Sequence, residues 1–255
     1  MPGRAKPQEI AARNVRLVVE YDGTDFAGWQ AQPRARTVQR VLQNAIRRVV
    51  HEKVNLLASG RTDSGVHAKA QVANFRTHSK ISAGHLALAI NTKLPRDVAV
   101  LSAEDVPVSF HATYDAEGKL YRYRISRRPA RPVLERRLAY WVRGPLDVAA
   151  MRRAAKHLTG THDFNSFRAE GHREMDTVRT VNSIEIVEAG DLLDILIKGD
   201  GFLYMMVRII AGTLVRVGQG KIPPGAVEKI LAARDRKAAG PTLPPRGLTL
   251  MEVYY

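Results

Sequence analysis

Ala58–Ala68 reads ASGRTDSGVHA. It lies between two apolar runs, Val54–Ala58 and Ala70–Phe75, whose composition predicts strands. Gly60 and Gly65 bracket its centre, and Arg61 and Asp63 stand two residues apart on it. The segment predicts a tight strand–loop–strand connection that raises a carboxylate beside a cation. A carboxylate in that setting is favoured in its charged form and can act as a nucleophile or base. Asp and Gly are ordinary turn residues, so a plain turn is the competing reading. A plain hairpin, however, needs neither two glycines nor a paired cation, and His67 stands in the same few residues.

Outward from this loop, the chain alternates between periods of two and of 3.6. On its N-terminal side Arg16–Tyr21 has strand composition. Thr37 is a good N-cap, and Val38, Val41, Leu42, Ala45, Ile46 and Val49 then recur at helical spacing. On its C-terminal side a strand is predicted over Ala70–Arg76, a helix over Ser82–Lys93 with Pro95 beyond it, and a strand over Val98–Ala103. The order β-α-β-β-α-β is the split unit of ferredoxin-like folds. The same order recurs without residue-level repetition. Strands are predicted at Leu120–Arg127 and Ala139–Arg143, and a helix at Asp147–Thr159. A hairpin follows at Arg179–Glu188 and Leu192–Lys198, then a long apolar helix at Phe202–Val217. A short helix opens at Pro223 or Pro224 and ends near Ala233, and a last strand covers Leu248–Tyr254. The fold class expected is α+β, with two ferredoxin-like halves whose mostly antiparallel sheets flank a central basic cleft. Residues 1–107 would carry the Asp63 loop, and residues 108–255 would carry Tyr121 and the Arg208 helix. A cleft between halves is the default place for a substrate.

The 255 residues are 45% hydrophobic, enough for one large domain or two modest ones. Forty Lys and Arg against 25 Asp and Glu give a formal net charge of +15, which points to a polyanion, nucleic acid before an anionic membrane surface. No apolar run is long enough to span a membrane, and the N-terminal residues lack the apolar core of a secretory signal. The absence of cysteine excludes disulfides, thiolate catalysis and cysteine-based zinc sites. The eight His residues show no metal-ligand spacing. A cytoplasmic protein with no membrane partner is expected.

Three further constellations carry chemistry. Arg208 is the only charged residue of GFLYMMVRIIAGTLV, Gly201–Val215. Such a guanidinium either snorkels to the surface or is held by a carboxylate, because an unpaired buried charge costs several kcal/mol. If held, Asp63 is the expected partner. Tyr121, in KLYRYR, shares a strand face with Tyr123, while Leu120, Arg122 and Arg124 face the other way. It is a core aromatic, or a ring that stacks on a nucleobase. Phe110, His111 and Tyr114, in FHATY, and the polar stretch with Arg168, His172 and Arg173 are either packing and solvated loop or contacts to an RNA backbone.

Taken together, these residues resemble the tRNA pseudouridine synthase A family. The resemblance covers essentially the whole chain, through YDGTDFAGWQ (Tyr21–Gln30), TVQRVL (Thr37–Leu42), GRTDSGVHA (Gly60–Ala68), FHATY, KLYRY, DFNSFR (Asp163–Arg168), GFLYMMVRIIAG (Gly201–Gly212) and PPRGLTLMEVYY (Pro244–Tyr255). It implies isomerisation of uridine to pseudouridine in the tRNA anticodon stem-loop, at nucleotides thirty-eight to forty, with no cofactor and no metal, by a homodimer whose subunits share each tRNA. The family's nucleophilic Asp matches Asp63, its base-stacking Tyr matches Tyr121, its salt-bridging Arg matches Arg208, and its tRNA-intruding Arg matches Arg61. Leu248 would press on the base from another side. Thr113 stands where the family often has Arg, Tyr204-Met205 replaces a more polar pair, and Lys80 is the basic residue nearest the place of a base-flipping Arg. Two other readings compete on composition alone: a non-catalytic RNA-binding or ribosome-assembly protein, and a hydrolase of ribose phosphodiesters. The first leaves the Arg-Thr-Asp loop without a use. The second lacks paired catalytic His or metal-ligand spacing.

Overall fold

Alternating burial in Arg13–Tyr21, with Val15, Leu17 and Val19 fully enclosed, makes the first strand, β1. The computed structural model, which describes residues 12–169 and 176–255, continues with α1 (Val38–Val50), β2 (Leu57–Ala58), β3 (His67–Thr77), α2 (Ala83–Asn91) and β4 (Val98–Val106). Then come β5 (Gly118–Ser126), β6 (Tyr140–Trp141), α3 (Val148–Lys156), β7 (Gly160–Asp163), β8 (Val178–Ala189) and β9 (Leu192–Gly199). The chain closes with α4 (Met206–Gly218), α5 (Ala226–Ala233) and β10 (Leu248–Tyr254). The result is a mixed α and β structure with one large sheet ordered β4-β1-β3-β10-β5-β9-β8-β7, β2 lying beside β3 and β6 beside β5. Its pairings are antiparallel except β3–β10 and β5–β6.

The helical stripe of α1 buries Val38, Leu42, Ala45 and Ile46, and enclosing a Val, Leu or Ile side chain is worth roughly 1.5–3 kcal/mol. Val41 and Val49, on the edge of the stripe, are only half-buried. These side chains belong to one continuous apolar core that runs through the whole sheet. Among the described residues no helix is long and apolar enough to cross a membrane.

Two expected strands are shorter than predicted. Of Val54–Ala58 only Leu57 and Ala58 pair, with Asn74 and Ala73. Side-chain amides of α1 take the carbonyls upstream, Gln43 donating to Val54 O at 3.5 Å and Gln39 to Leu56 O at 3.0 Å. Val54 and Leu56 are therefore buried without joining the ladder. Of Ala139–Arg143 only Tyr140 and Trp141 pair, in parallel with β5. The predicted helix over Phe202–Val217 begins four residues late, at Met206, because Met205 adopts a left-handed conformation (φ 60°) just before it.

The placing of β10 sets up everything that follows. It runs between β3 and β5, Leu250 facing Ala68 on one side and Tyr121 on the other. The last strand of the chain thus joins the strand that leaves the Asp63 loop to the strand that bears Tyr121.

Candidate active site

The loop between β2 and β3 is fastened from three directions. Its backbone is gripped by the segment after β1: the Trp29 amide donates to Thr62 O at 3.0 Å, and the Gly65 amide donates to Phe26 O at 3.2 Å. Tyr21 Oη and Thr62 Oγ1 share a hydrogen bond of 2.7 Å, and Gln71 Nε2 donates to Gly60 O at 3.0 Å. Gly28 lies at φ 89°, and a Cβ there would sit 2.7 Å from Thr62 O. A side chain at that position would push the two backbones apart, so glycine is required.

Arg208 stands in the first turn of α4 and is 9% exposed. Its Nη1 donates to Asp63 Oδ2 at 3.1 Å, across 145 positions of sequence, and its Nε donates to Leu243 O at 2.7 Å. The guanidinium is therefore held at two ends, and its aim at the carboxylate is fixed by the backbone of the segment before β10. That segment lies hard against α4, since a Cβ at Gly212 would fall 1.8 Å from Pro241 O.

Tyr121 is buried, its ring edge-on to Phe202 at 5.2 Å between centroids. Burial, with smaller contributions from Tyr21 and Asp63, pushes its phenol far above the ordinary value. The hydroxyl makes no hydrogen bond among the described residues. A neutral phenol of this kind is a proton donor and stacking face before it is a base.

Asp63, Tyr121, Arg61 and Leu248 all line one cleft of about 700 Å³, a size that admits a nucleoside. Arg61 is exposed at its lip, and the Asp63 side chain is 23% exposed. The cleft's far wall is Phe202–Val207. The sequence reading did not mark Trp29, Gln30 or Thr62 as walls of the site, although all three line it. The signal for them was Gly28, set between Phe26 and Trp29.

The remaining candidates lie elsewhere. Lys80 is exposed beyond the far end of β3, roughly 30 Å along the strand from the Asp63 loop at about 3.3 Å per residue. Phe110 packs on Tyr255 at 5.1 Å, and His111 on the exposed Tyr114 at 4.2 Å. None of these lines the cleft, although Thr113 Oγ1 donates to Ala58 O at 2.6 Å, at the root of the loop. Arg168 sits next to Ala169, whose amide donates to Tyr204 O in the cleft wall at 3.1 Å. His172 and Arg173 lie outside the described residues.

The family profile described as tRNA pseudouridine synthase matches residues 17–115 and 154–255. A tRNA pseudouridine synthase A 2 of Clostridium perfringens is 46% identical over 243 residues, covering 95% of this chain and all of the relative. A tRNA pseudouridine synthase A of Thermoanaerobacter sp. is 49% identical over the same length, with the same coverage. A third, from Brevibacillus brevis, is 46% identical over 243 residues, 95% of this chain and 100% of its own. The chain thus belongs to the tRNA pseudouridine synthase family, the enzymes that isomerise uridine to pseudouridine in tRNA.

Proposed function

We propose that this isomerisation takes place in the Asp63 cleft, on uridines thirty-eight to forty of the tRNA anticodon stem-loop, with Asp63 as the nucleophile. The observation that carries the reading is the 3.1 Å contact between Arg208 and Asp63 at the edge of a cleft that also holds Tyr121. A non-catalytic RNA-binding protein would have no use for that arrangement.

A paired uridine is out of reach, so it leaves the stem and enters the cleft. Arg61, at the lip, reaches into the tRNA as the base leaves. The uracil lies on Tyr121 with Leu248 against it. The carboxylate then attacks C1′, or takes a sugar proton to give a glycal. On either route the N1–C1′ bond breaks with its electron pair left on the uracil. The freed ring turns inside the closed pocket, C5 bonds to C1′, and the C5 proton is passed on, with Tyr121 as relay. The product is an isomer of the substrate, so the reaction consumes no co-reactant.

The two halves, 1–107 and 108–255, act as split βαβ units on either side of a basic cleft. The sheet order β4-β1-β3-β2 in the first and β10-β5-β9-β8 in the second supports this division. The enzyme works in the cytoplasm as a homodimer, each tRNA touching both subunits. Lys80, Phe110, His111, Tyr114, Arg168, His172 and Arg173 are assigned to RNA binding.

Replacing Asp63 by Asn tests the proposal. Tritium release from C5-labelled tRNA should cease, while tRNA affinity in filter binding stays within about tenfold, because phosphate contacts supply most of the binding. Turnover near wild type would remove Asp63 from the mechanism.

A further inference from the structure

Lys119 stands two residues before Tyr121 on β5, and so on the same face of the strand, about 7 Å away. Its side chain is half-buried and makes no hydrogen bond or ion pair among the described residues. The ammonium lies against the root of the Asp63 loop: a Cβ at Gly60 would be 3.2 Å from Lys119 Nζ. Arg179, whose Cδ and Nε would be 3.6 Å from a Cβ at Gly201, is near enough for its charge to act on Lys119. Gly60 adjoins Arg61 and Gly201 adjoins Phe202, and both of those neighbours line the cleft. Two cations therefore stand near one another at the cleft's rim, Arg179 also donating through Nη1 to Asp176 O at 3.3 Å and Val178 O at 2.6 Å, with Asp176 Oδ2 3.9 Å away. The carboxylate nearby, Asp200, already receives the Thr180 amide on both oxygens at 3.1 Å. Burial and the charge of Arg179 both work against the ammonium, and Asp200 only partly offsets them. An anion beside them would relieve both penalties.

We propose that Lys119 and Arg179 form a phosphate subsite at the rim of the cleft, holding the RNA backbone phosphate next to the nucleotide that enters it. The proposal rests on the reading of this cleft as the place where uridine is isomerised. The anions that pass the rim in an RNA substrate are its phosphates, one per nucleotide. A nucleotide's own phosphate lies one sugar from its base, and Lys119 lies a comparable step along β5 from Tyr121. A point-charge ammonium and a forked guanidinium suit an oxyanion. Phosphate contacts of this kind set register without reading sequence, which here means presenting C1′ to Asp63.

The test uses the full chain, anticodon stem-loop RNA, and stem-loops bearing a neutral methylphosphonate on the 5′ or the 3′ side of the target uridine. Lys119→Gln should weaken binding about tenfold and lower the slope of log affinity against log salt by about one. Lys119→Arg should restore both. A methylphosphonate at one of the two flanking positions should weaken wild type more than Lys119→Gln, since the variant has already lost the Lys119 share of that contact and keeps only the Arg179 share. Unchanged affinity and slope in Lys119→Gln would overturn the subsite, as would a methylphosphonate penalty equal in both proteins. Should Lys119→Gln lose its fold by circular dichroism, wild type alone decides: no penalty at either flanking phosphate overturns the subsite. Wild type that shows these binding differences but forms no pseudouridine would sink the proposed function and leave the subsite standing.

Discussion

Arg208 shows how one side chain links packing to chemistry. Its Nη1 serves Asp63 and its Nε serves Leu243 O, so both acceptors lose their partner if it is removed. A fully sealed pair broken this way costs about 3–5 kcal/mol. Asp63 is partly exposed, so Arg208→Ala should cost about 2 kcal/mol, water meeting part of the demand. Arg208→Lys is the more telling variant. It keeps the charge but has no fork with which to reach two acceptors on different elements. It should retain most of the stability and lose about a hundredfold in kcat, the usual cost of a misplaced catalytic group. Urea midpoints and single-turnover tritium release separate the two effects, and wild-type turnover in Arg208→Lys would show that charge alone suffices. The lone Arg of an apolar helix was legible in the sequence as a charge needing a partner. The Leu243 carbonyl was not, because a backbone acceptor carries no residue signature.

At the scale of elements, the alignment of α4 with the segment before β10 decides where Arg208 points. Gly212 and Gly240 let the two backbones touch, and a Cβ at Gly240 would lie 2.6 Å from Thr213 Cα. In Gly212→Ala the new methyl meets Pro241 O, and the segment through Leu243 must lift off the helix. Overpacking of this kind costs about 1–3 kcal/mol and more when backbone is the obstacle. The prediction is a destabilisation at the upper end of that range, read from denaturant midpoints, with a loss of kcat larger than the change in KM. Equal stability with wild type would mean that the two backbones can part freely. The elements themselves were readable in the sequence from period in α1, where Thr37 stands at the N-cap but its hydroxyl caps nothing, and from period and cap together in α3, where Asp147 Oδ1 accepts from the Ala150 amide at 2.8 Å. They were misread where tertiary partners took the backbone: β2 is short because Gln39 and Gln43 reach from α1 to the carbonyls of Leu56 and Val54, just upstream of it.

Across the molecule, the sheet carries three buried phenols near its seam, Tyr21, Tyr121 and Tyr123. Burial raises all three well above the ordinary tyrosine value of about 10. The unfolded chain then releases these protons near pH 10 while the native state keeps them. Native protein binds more protons above that point, so stability is fully present below about pH 10 and falls as pH climbs past it. Tm measured from pH 8 to 11 should be flat and then drop, and the drop should be shallower in Tyr123→Phe. A Tm that rises above pH 10 would contradict the burial. From the residues alone came the α and β content, the net positive charge, the family, and the choice of Asp63, Tyr121 and Arg208 as candidates, because local periodicity, charge count and a short glycine-bracketed motif are written in neighbouring positions. Only the tertiary structure decided that β10 runs between β3 and β5, that Trp29 and Thr62 wall the cleft, and that Lys119 lies under the Asp63 loop. Those placements depend on which distant backbones meet, and strand pairing across the sheet, not local sequence, determines that.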